Sequence, residues 1–235
     1  WDETVKQDDW LDTYGEGWRR LRKLRANKRQ TDYRQFQFDL LMANPPFAGD
    51  IRQSDMLSPY ELAHKANGKL EHAVGRDLLF IERNLDFLRP GGRMAVVLPQ
   101  GRFNNSSDQR LREFIMERCR ILAVVGLHPN TFKPHTGTKT SVLFVQKWND
   151  DPQAGPLCPQ TADYNIFFAT QKIESVSNSG EKVYVRGADG LPIRDTHGHF
   201  VVDHDLFNHE GLTQDGIAEA FNVFAVQERL TFAVE

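Results

Sequence analysis

Cysteine is nearly absent: Cys119 and Cys158 are the only two in 235 residues. Two thiols with no ligand-type spacing exclude a disulfide framework and a structural zinc site, and they point to a reducing, cytoplasmic compartment. No apolar run reaches the ~18 residues of a membrane span. The first residues are charged rather than apolar, which argues against a secretory signal. Charge of one sign is missing too. The 29 Lys and Arg residues against 32 Asp and Glu leave a net charge of −3, so any role with nucleic acid must come from local patches. Repeats and low-complexity tracts are absent. The chain opens on Trp1 rather than Met and reads as a fragment or a processed product.

What is present is ordinary for a soluble globular protein, with 40% hydrophobic and 26% charged residues. This is enough for a sizeable core and one to one and a half domains. Residues 1–35 form a polar, then basic, segment in which Trp18–Arg29 reads as a short helix with Leu21 and Leu24 inward. Its basic face is either simply solvated or a phosphate-contacting patch. From residue 36 strands and helices alternate. Phe38–Ala43 is a continuous apolar run, as a strand covered on both faces requires. Asp77–Leu88 carries Leu78, Ile81, Leu85 and Leu88 at helical spacing and stops at the breaker Pro90-Gly91-Gly92. Arg93–Pro99 is the next strand, and a helix capped by Ser106 or Ser107 follows. Ile121–Leu127 and Thr140–Trp148 are joined by a loop too short for a crossover helix, so they pair as an antiparallel hairpin.

This order implies the second half of a three-layer α/β sheet over residues 36–173. A polar linker is expected from Asn149 to Ala162 and a further strand at Tyr164–Ile173. Residues 174–235 form an extension, with a two-stranded excursion turning at Asp189-Gly190 and a last helix capped by Thr213. His197, His199, His204 and His209 lie among acids, but their spacing fits a turn rather than a ligand set, and no metal is assigned.

The stretch that invites chemistry is Asn44-Pro45-Pro46-Phe47, where an apolar strand ends. Asn44 precedes a proline and is pushed from the helical region. Pro45 and Pro46 have fixed φ and donate no hydrogen bond. The Pro45 carbonyl is therefore aimed by covalent stiffness, and the Asn44 side-chain oxygen is the second acceptor. An aromatic amine is a poor nucleophile because its lone pair is delocalised into the ring. Two acceptors that take its hydrogens draw the nitrogen toward tetrahedral geometry and stabilise the positive charge that develops on methyl transfer. Phe47 can offer a ring face to a base, with Pro46 as a rigid spacer. The plainer alternative is that Asn-Pro-Pro merely ends a strand.

"NPPF" after "FDLLMA" resembles the catalytic motif of amino-methyltransferases that use S-adenosylmethionine. "RPGGRMAVVLPQG", "LHPNTFKPHTGTKTSVLF", "YNIFFATQK" and "VDHDLFNHEGLTQDGIAEAF" together resemble the modification subunit of type I restriction-modification systems, which methylates adenine N6 in DNA. The resemblance covers residues 36–230 and implies a Rossmann-like methyltransferase sheet with a C-terminal β/α extension. It implies catalytic and base-binding roles for Asn44, Pro45, Pro46 and Phe47. Phe132 becomes either a second base-stacking ring or a core anchor of the hairpin loop. Thr138 and Lys139 lie near the DNA backbone or form an ordinary hairpin tip. Leu78 and Phe80 either border the adenine of S-adenosylmethionine or are helix-core positions. Implied partners are DNA and the specificity and restriction subunits.

The chain departs from the family at its start. Related enzymes carry a Gly-rich cofactor turn after the first strand and an acidic ribose ligand after the second. Only 43 residues precede Asn44. The Gly-x-Gly in Thr13–Trp18 follows no apolar strand, and Asp2, Asp8, Asp9 and Asp12 take no ribose role. The chain is therefore expected to lack the main cofactor motif and to be inactive alone. Its exposed sheet edge would be covered by the missing N-terminal half or a homodimer mate. The competing readings are a non-catalytic module bridging DNA and a partner, and an amino-methyltransferase acting on RNA or protein.

Overall fold

The computed structural model describes residues 37–232. The basic segment Trp18–Arg29 and the Gly-x-Gly of Thr13–Trp18 lie outside the described residues. In chain order the strands are β1 (Phe38–Ala43), β2 (Asp50–Ile51), β3 (Val74–Gly75), β4 (Leu88–Pro99), β5 (Cys119–Gly126), β6 (Thr140–Lys147) and β7 (Phe167–Thr170). The helices are α1 (Ser54–Leu57), α2 (Arg76–Phe87), α3 (Gly101–Asn104), α4 (Gln109–Arg118) and α5 (Ile217–Gln227).

Five strands form one sheet in the order β1-β4-β6-β5-β7, and β2 and β3 pair separately. β1 runs parallel to β4, and β7 runs parallel to β5. β6 returns between β4 and β5, antiparallel to both. The expected hairpin is present, with its second strand inserted into the sheet. Four strands therefore point one way, and their C-terminal ends share one edge with the start of β6. Open α/β sheets place their ligands outside that edge.

One face of the sheet is covered by α2 and α4. Ile81, Leu85, Leu111, Phe114 and Ile115 pack on Met94, Val96, Leu98, Leu143 and Val145. The other face is covered in part by α5, where Ala225 and Leu230 close over Leu122 with Phe144 and Phe221. The result is the three-layer α/β arrangement. β1 is an edge strand among the described residues, and Leu40 and Met42 on it are 54% and 76% exposed. Burial pushes the Cys119 thiol up to about 12 and the Cys158 thiol up to about 11. Both therefore stay protonated and unreactive at neutral pH.

Several expectations need correction. Pro90-Gly91-Gly92 does not break the chain between helix and strand: β4 begins at Leu88 and runs through it. The segment is a bulge, since Phe38 pairs with Leu88 but Leu40 pairs with Arg93. The bulge survives because a neighbouring loop clasps it. A Cβ on Gly91, whose φ is +71°, would lie 1.8 Å from the Pro156 carbonyl oxygen. The Asn149–Ala162 stretch is thus no free linker over its first half. The buried Asn149 amide donates to the carbonyls of Asp151, Gly155 and Pro156 and folds the loop onto the bulge. Neither Ser106 nor Ser107 caps a helix: they lie in a short 3-10 turn ahead of α4, and no side chain caps it. Thr213 does not cap α5 either. The helix starts at Ile217, and Glu219 reaches back to accept from the Gly216 N–H at 2.7 Å.

The expected two-stranded excursion is instead three successive tight turns. The N–H groups of Ser177, Gly187 and Asp195 donate to the carbonyls of Glu181, Leu191 and His199, and each turn has a glycine as its fourth residue. Val185, Ile193 and Val201 then close a ring of backbone hydrogen bonds, each donating to the next. The side chains follow the same eight-residue period, with Val185, Ile193 and Val201 in the ring and Arg186 and Arg194 each donating to the glycine carbonyl of its turn, at Gly190 and Gly198; the expected absence of repeats does not hold here. Gly91→Ala is expected to destabilise the fold by at least about 1 kcal/mol in urea titration. Gly190→Ala, with φ +79° but nothing within 4 Å of the new Cβ, is expected to cost less; equal losses would contradict the clasped bulge.

Candidate active site

Ala43, the last residue of β1, pairs with Val96, so Asn44 leaves the sheet at its C-terminal edge. Pro45 is buried, Asn44 and Pro46 are exposed, and Phe47 is half-buried. The turn is closed at Gly49, which has φ +97° and accepts a 3.0 Å hydrogen bond from the first N–H of α2 at Arg76. A packed proline, a fixed ring beside it and a closed end hold the segment without help from side-chain bonds. Among the described residues nothing hydrogen-bonds the Asn44 amide or the Pro45 carbonyl.

The hairpin loop between β5 and β6 leaves the same edge. It is folded by short bonds of its own: Thr131 Oγ1 donates to the His128 carbonyl at 2.7 Å, and the Lys133 and Thr136 N–H groups donate to Asn130 and Phe132. The extension braces it from outside. Gln171, just past β7, accepts from the His128 N–H at 3.1 Å, and the buried Asn130 donates to Glu174 at 2.9 Å. Gly180, from the first tight turn, lies against Pro134 so closely that a Cβ would sit 2.4 Å from its Cδ. This scaffold delivers Phe132 to Phe47. Their ring centroids are 5.6 Å apart and their planes meet at 79°. Two perpendicular rings make a corner: a flat heterocycle lying on one presents its edge to the other.

The family model for N-6 DNA Methylase matches residues 11–223. The chain belongs to the N-6 DNA Methylase family. A segment of 113 residues is 30% identical to the methylase subunit of the type I restriction enzyme EcoEI of Escherichia coli, covering 47% of this chain and 21% of that protein. A segment of 122 residues is 27% identical to the type II restriction enzyme and methyltransferase RM.Eco57I of Escherichia coli, covering 51% of this chain and 12% of that protein. The match thus spans about a fifth or less of these relatives' length. A solved methyltransferase subunit of a type I restriction-modification system from Streptococcus thermophilus superposes with a TM-score of 0.41 at 24% identity, over 55% of this chain and 27% of that chain.

 

The remaining candidate residues of this N-6 DNA Methylase chain fall in different places. Thr138 and Lys139 are exposed at the end of the hairpin loop, where the Thr138 N–H is turned onto Thr136 Oγ1 at 3.1 Å. Leu78 is half-buried between two core clusters. Phe80, on the next face of α2, is 44% exposed and lines an apolar slot of about 270 Å³ with Ile51, Met56, Tyr60, Arg76, Leu79 and Arg83. That slot suits a flat apolar ring. It has no carboxylate for ribose hydroxyls, and no glycine-rich turn follows a strand beside it among the described residues.

Sequence reasoning missed the supports. Asp77, in the first turn of α2, binds Arg102 through both oxygens at 2.7 and 2.9 Å, and Arg102 also reaches Asp108 at 2.7 Å. The triad ties the turn after β4 to the start of α2. Nothing in local periodicity marks Gln171, Glu174 or Gly180 as loop supports, because their partners are distant in sequence. Gly180→Ala is expected to displace the loop through Pro134, lowering activity while leaving most of the fold intact. The check is a activity assay paired with a melting curve, and unchanged activity would remove Gly180 from the scaffold.

Proposed function

We propose that this chain carries the acceptor side of an adenine-specific DNA amino-methyltransferase, as part of the modification subunit of a type I restriction-modification system. The observation that carries the reading is the meeting of Phe47 and Phe132 at 5.6 Å beside an Asn44-Pro45 pair with no hydrogen-bond partner among the described residues. Family membership and the names of the curated relatives support the DNA and type I parts of the reading. Specificity and restriction subunits are the corresponding partners, and the surface beyond β7 is the proposed docking element for the first.

The roles follow from the geometry. A base turned out of the duplex lies in the corner of the two rings. Stacking contributes on the order of 1–3 kcal/mol per base, comparable to the few kcal/mol that unstacking costs. The exocyclic amine then donates one hydrogen to Asn44 and the other to the Pro45 carbonyl. With both hydrogens held, the nitrogen lone pair is freed from the ring, and the two oxygen dipoles stabilise the positive charge that develops on it. The proline pair keeps the Pro45 carbonyl from relaxing away. S-adenosylmethionine, the donor that the family implies, would supply an electrophilic methyl group when bound.

In the protein that carries this chain, Asn44→Ala is expected to lower kcat for adenine methylation of duplex DNA by about 10²–10³-fold. Phe47→Ala is expected to weaken productive binding roughly 5- to 150-fold, the equivalent of one lost stack, and Phe47→Trp to restore most of it. Transfer of labelled methyl groups measures both. Full activity of Asn44→Ala, or preferential methylation of RNA or a protein glutamine, would overturn the reading.

A further inference from the structure

A second cavity runs along the sheet face over Ile121 and Val124 of β5 and Phe168 of β7 and reaches the C-terminal edge at Gln100 and Lys139. Its volume is about 660 Å³, within the range of small-molecule and nucleotide sites. Three cations line it, Arg112 from α4, Lys139 just before β6 and Lys172 just past β7, and among the described residues no acidic residue does. Lys139 and Lys172 are exposed and make no ion pair among the described residues. Arg112 is held in place, because its guanidinium donates to the Arg102 and Asn105 carbonyls. The floor carries Phe103 and Phe168. Phe168 is 70% exposed, an unusual position for a ring with no aromatic partner among the described residues. On a molecule of net charge −3, an acid-free groove of this kind is a local exception to the overall field.

The groove and the loop of the candidate active site meet at one backbone contact. The Gln100 N–H, at the end of β4, donates to the Lys139 carbonyl at 2.9 Å, and Lys139 ends the loop that carries Phe132. We infer that the groove takes the phosphodiester backbone of DNA next to the turned-out adenine, with a neighbouring base stacked on Phe168 and phosphates on Lys139, Lys172 and Arg112. This rests on the proposed function, since it presupposes a nucleic acid in the Phe47–Phe132 corner. Cations spaced around an exposed ring combine backbone attraction with sequence-tolerant stacking.

The test is binding of a short fluorescein-labelled DNA duplex of mixed sequence to the full chain, followed by anisotropy over a series of salt concentrations. Lys172→Ala is expected to reduce the slope of log K against log salt by about 1, the value for one lost phosphate contact. Lys172→Arg should keep the slope. Phe168→Ala is expected to weaken binding about tenfold with little change in slope. Circular dichroism confirms that each variant is folded. Unchanged affinity and slope in both Lys172→Ala and Phe168→Ala would overturn the groove, as would equal or tighter binding of an RNA duplex of the same sequence. Loss of methylation in Asn44→Ala with no effect of Lys172→Ala on binding sinks the groove alone. The converse, a lost phosphate contact in Lys172→Ala with full methylation by Asn44→Ala, sinks the methylation reading alone.

Discussion

The contact between Phe47 and Phe132 is the constraint from which the rest of the site follows. It joins two segments far apart in sequence that leave the sheet at the same edge. Were β6 not inserted antiparallel between β4 and β5, the hairpin loop would not be carried back to the end of β1. The proline pair settles the other half of the geometry. It removes donors and fixes φ where the chain must stop pairing, so the Pro45 carbonyl is held by covalent stiffness. Stiffness matters because an acceptor that can swing away stabilises developing charge less than one held in place.

The C-terminal extension acts on this corner from outside. Gln171 and Glu174 hold the base of the hairpin loop, and Gly180 fills the space beside Pro134. The extension therefore couples the position of Phe132 to three tight turns that carry little apolar core of their own. A partner that docks on those turns would act on the loop through these contacts.

Much of the sheet was legible in the sequence because its strands are continuous apolar runs and its helices have clean periodicity. Phe38–Ala43 and the helix through Leu78, Ile81 and Leu85 are examples. The Asn-Pro-Pro-Phe turn was legible because prolines act locally. Long-range packing was not. Pro90-Gly91-Gly92 has the composition of a breaker, and only the loop folded by Asn149 makes it a bulge within β4. Thr213 and Ser106 look like caps, yet the first is passed over in favour of Glu219 and the second lies in a 3-10 turn. The tight turns repeat over too few residues to stand out, although Val185, Ile193 and Val201 recur every eight residues and Arg186 and Arg194 make the same bond to a turn glycine.

The most direct test of the central claim is a double-mutant cycle between Phe47 and Phe132, read in kcat/KM for adenine methylation of duplex DNA. If both rings grip one base, Phe47→Ala and Phe132→Ala lose less together than the sum of their separate losses, with a coupling of about 0.5–3 kcal/mol. Additive losses would show that the rings act on different things, and the shared corner would not be the base site.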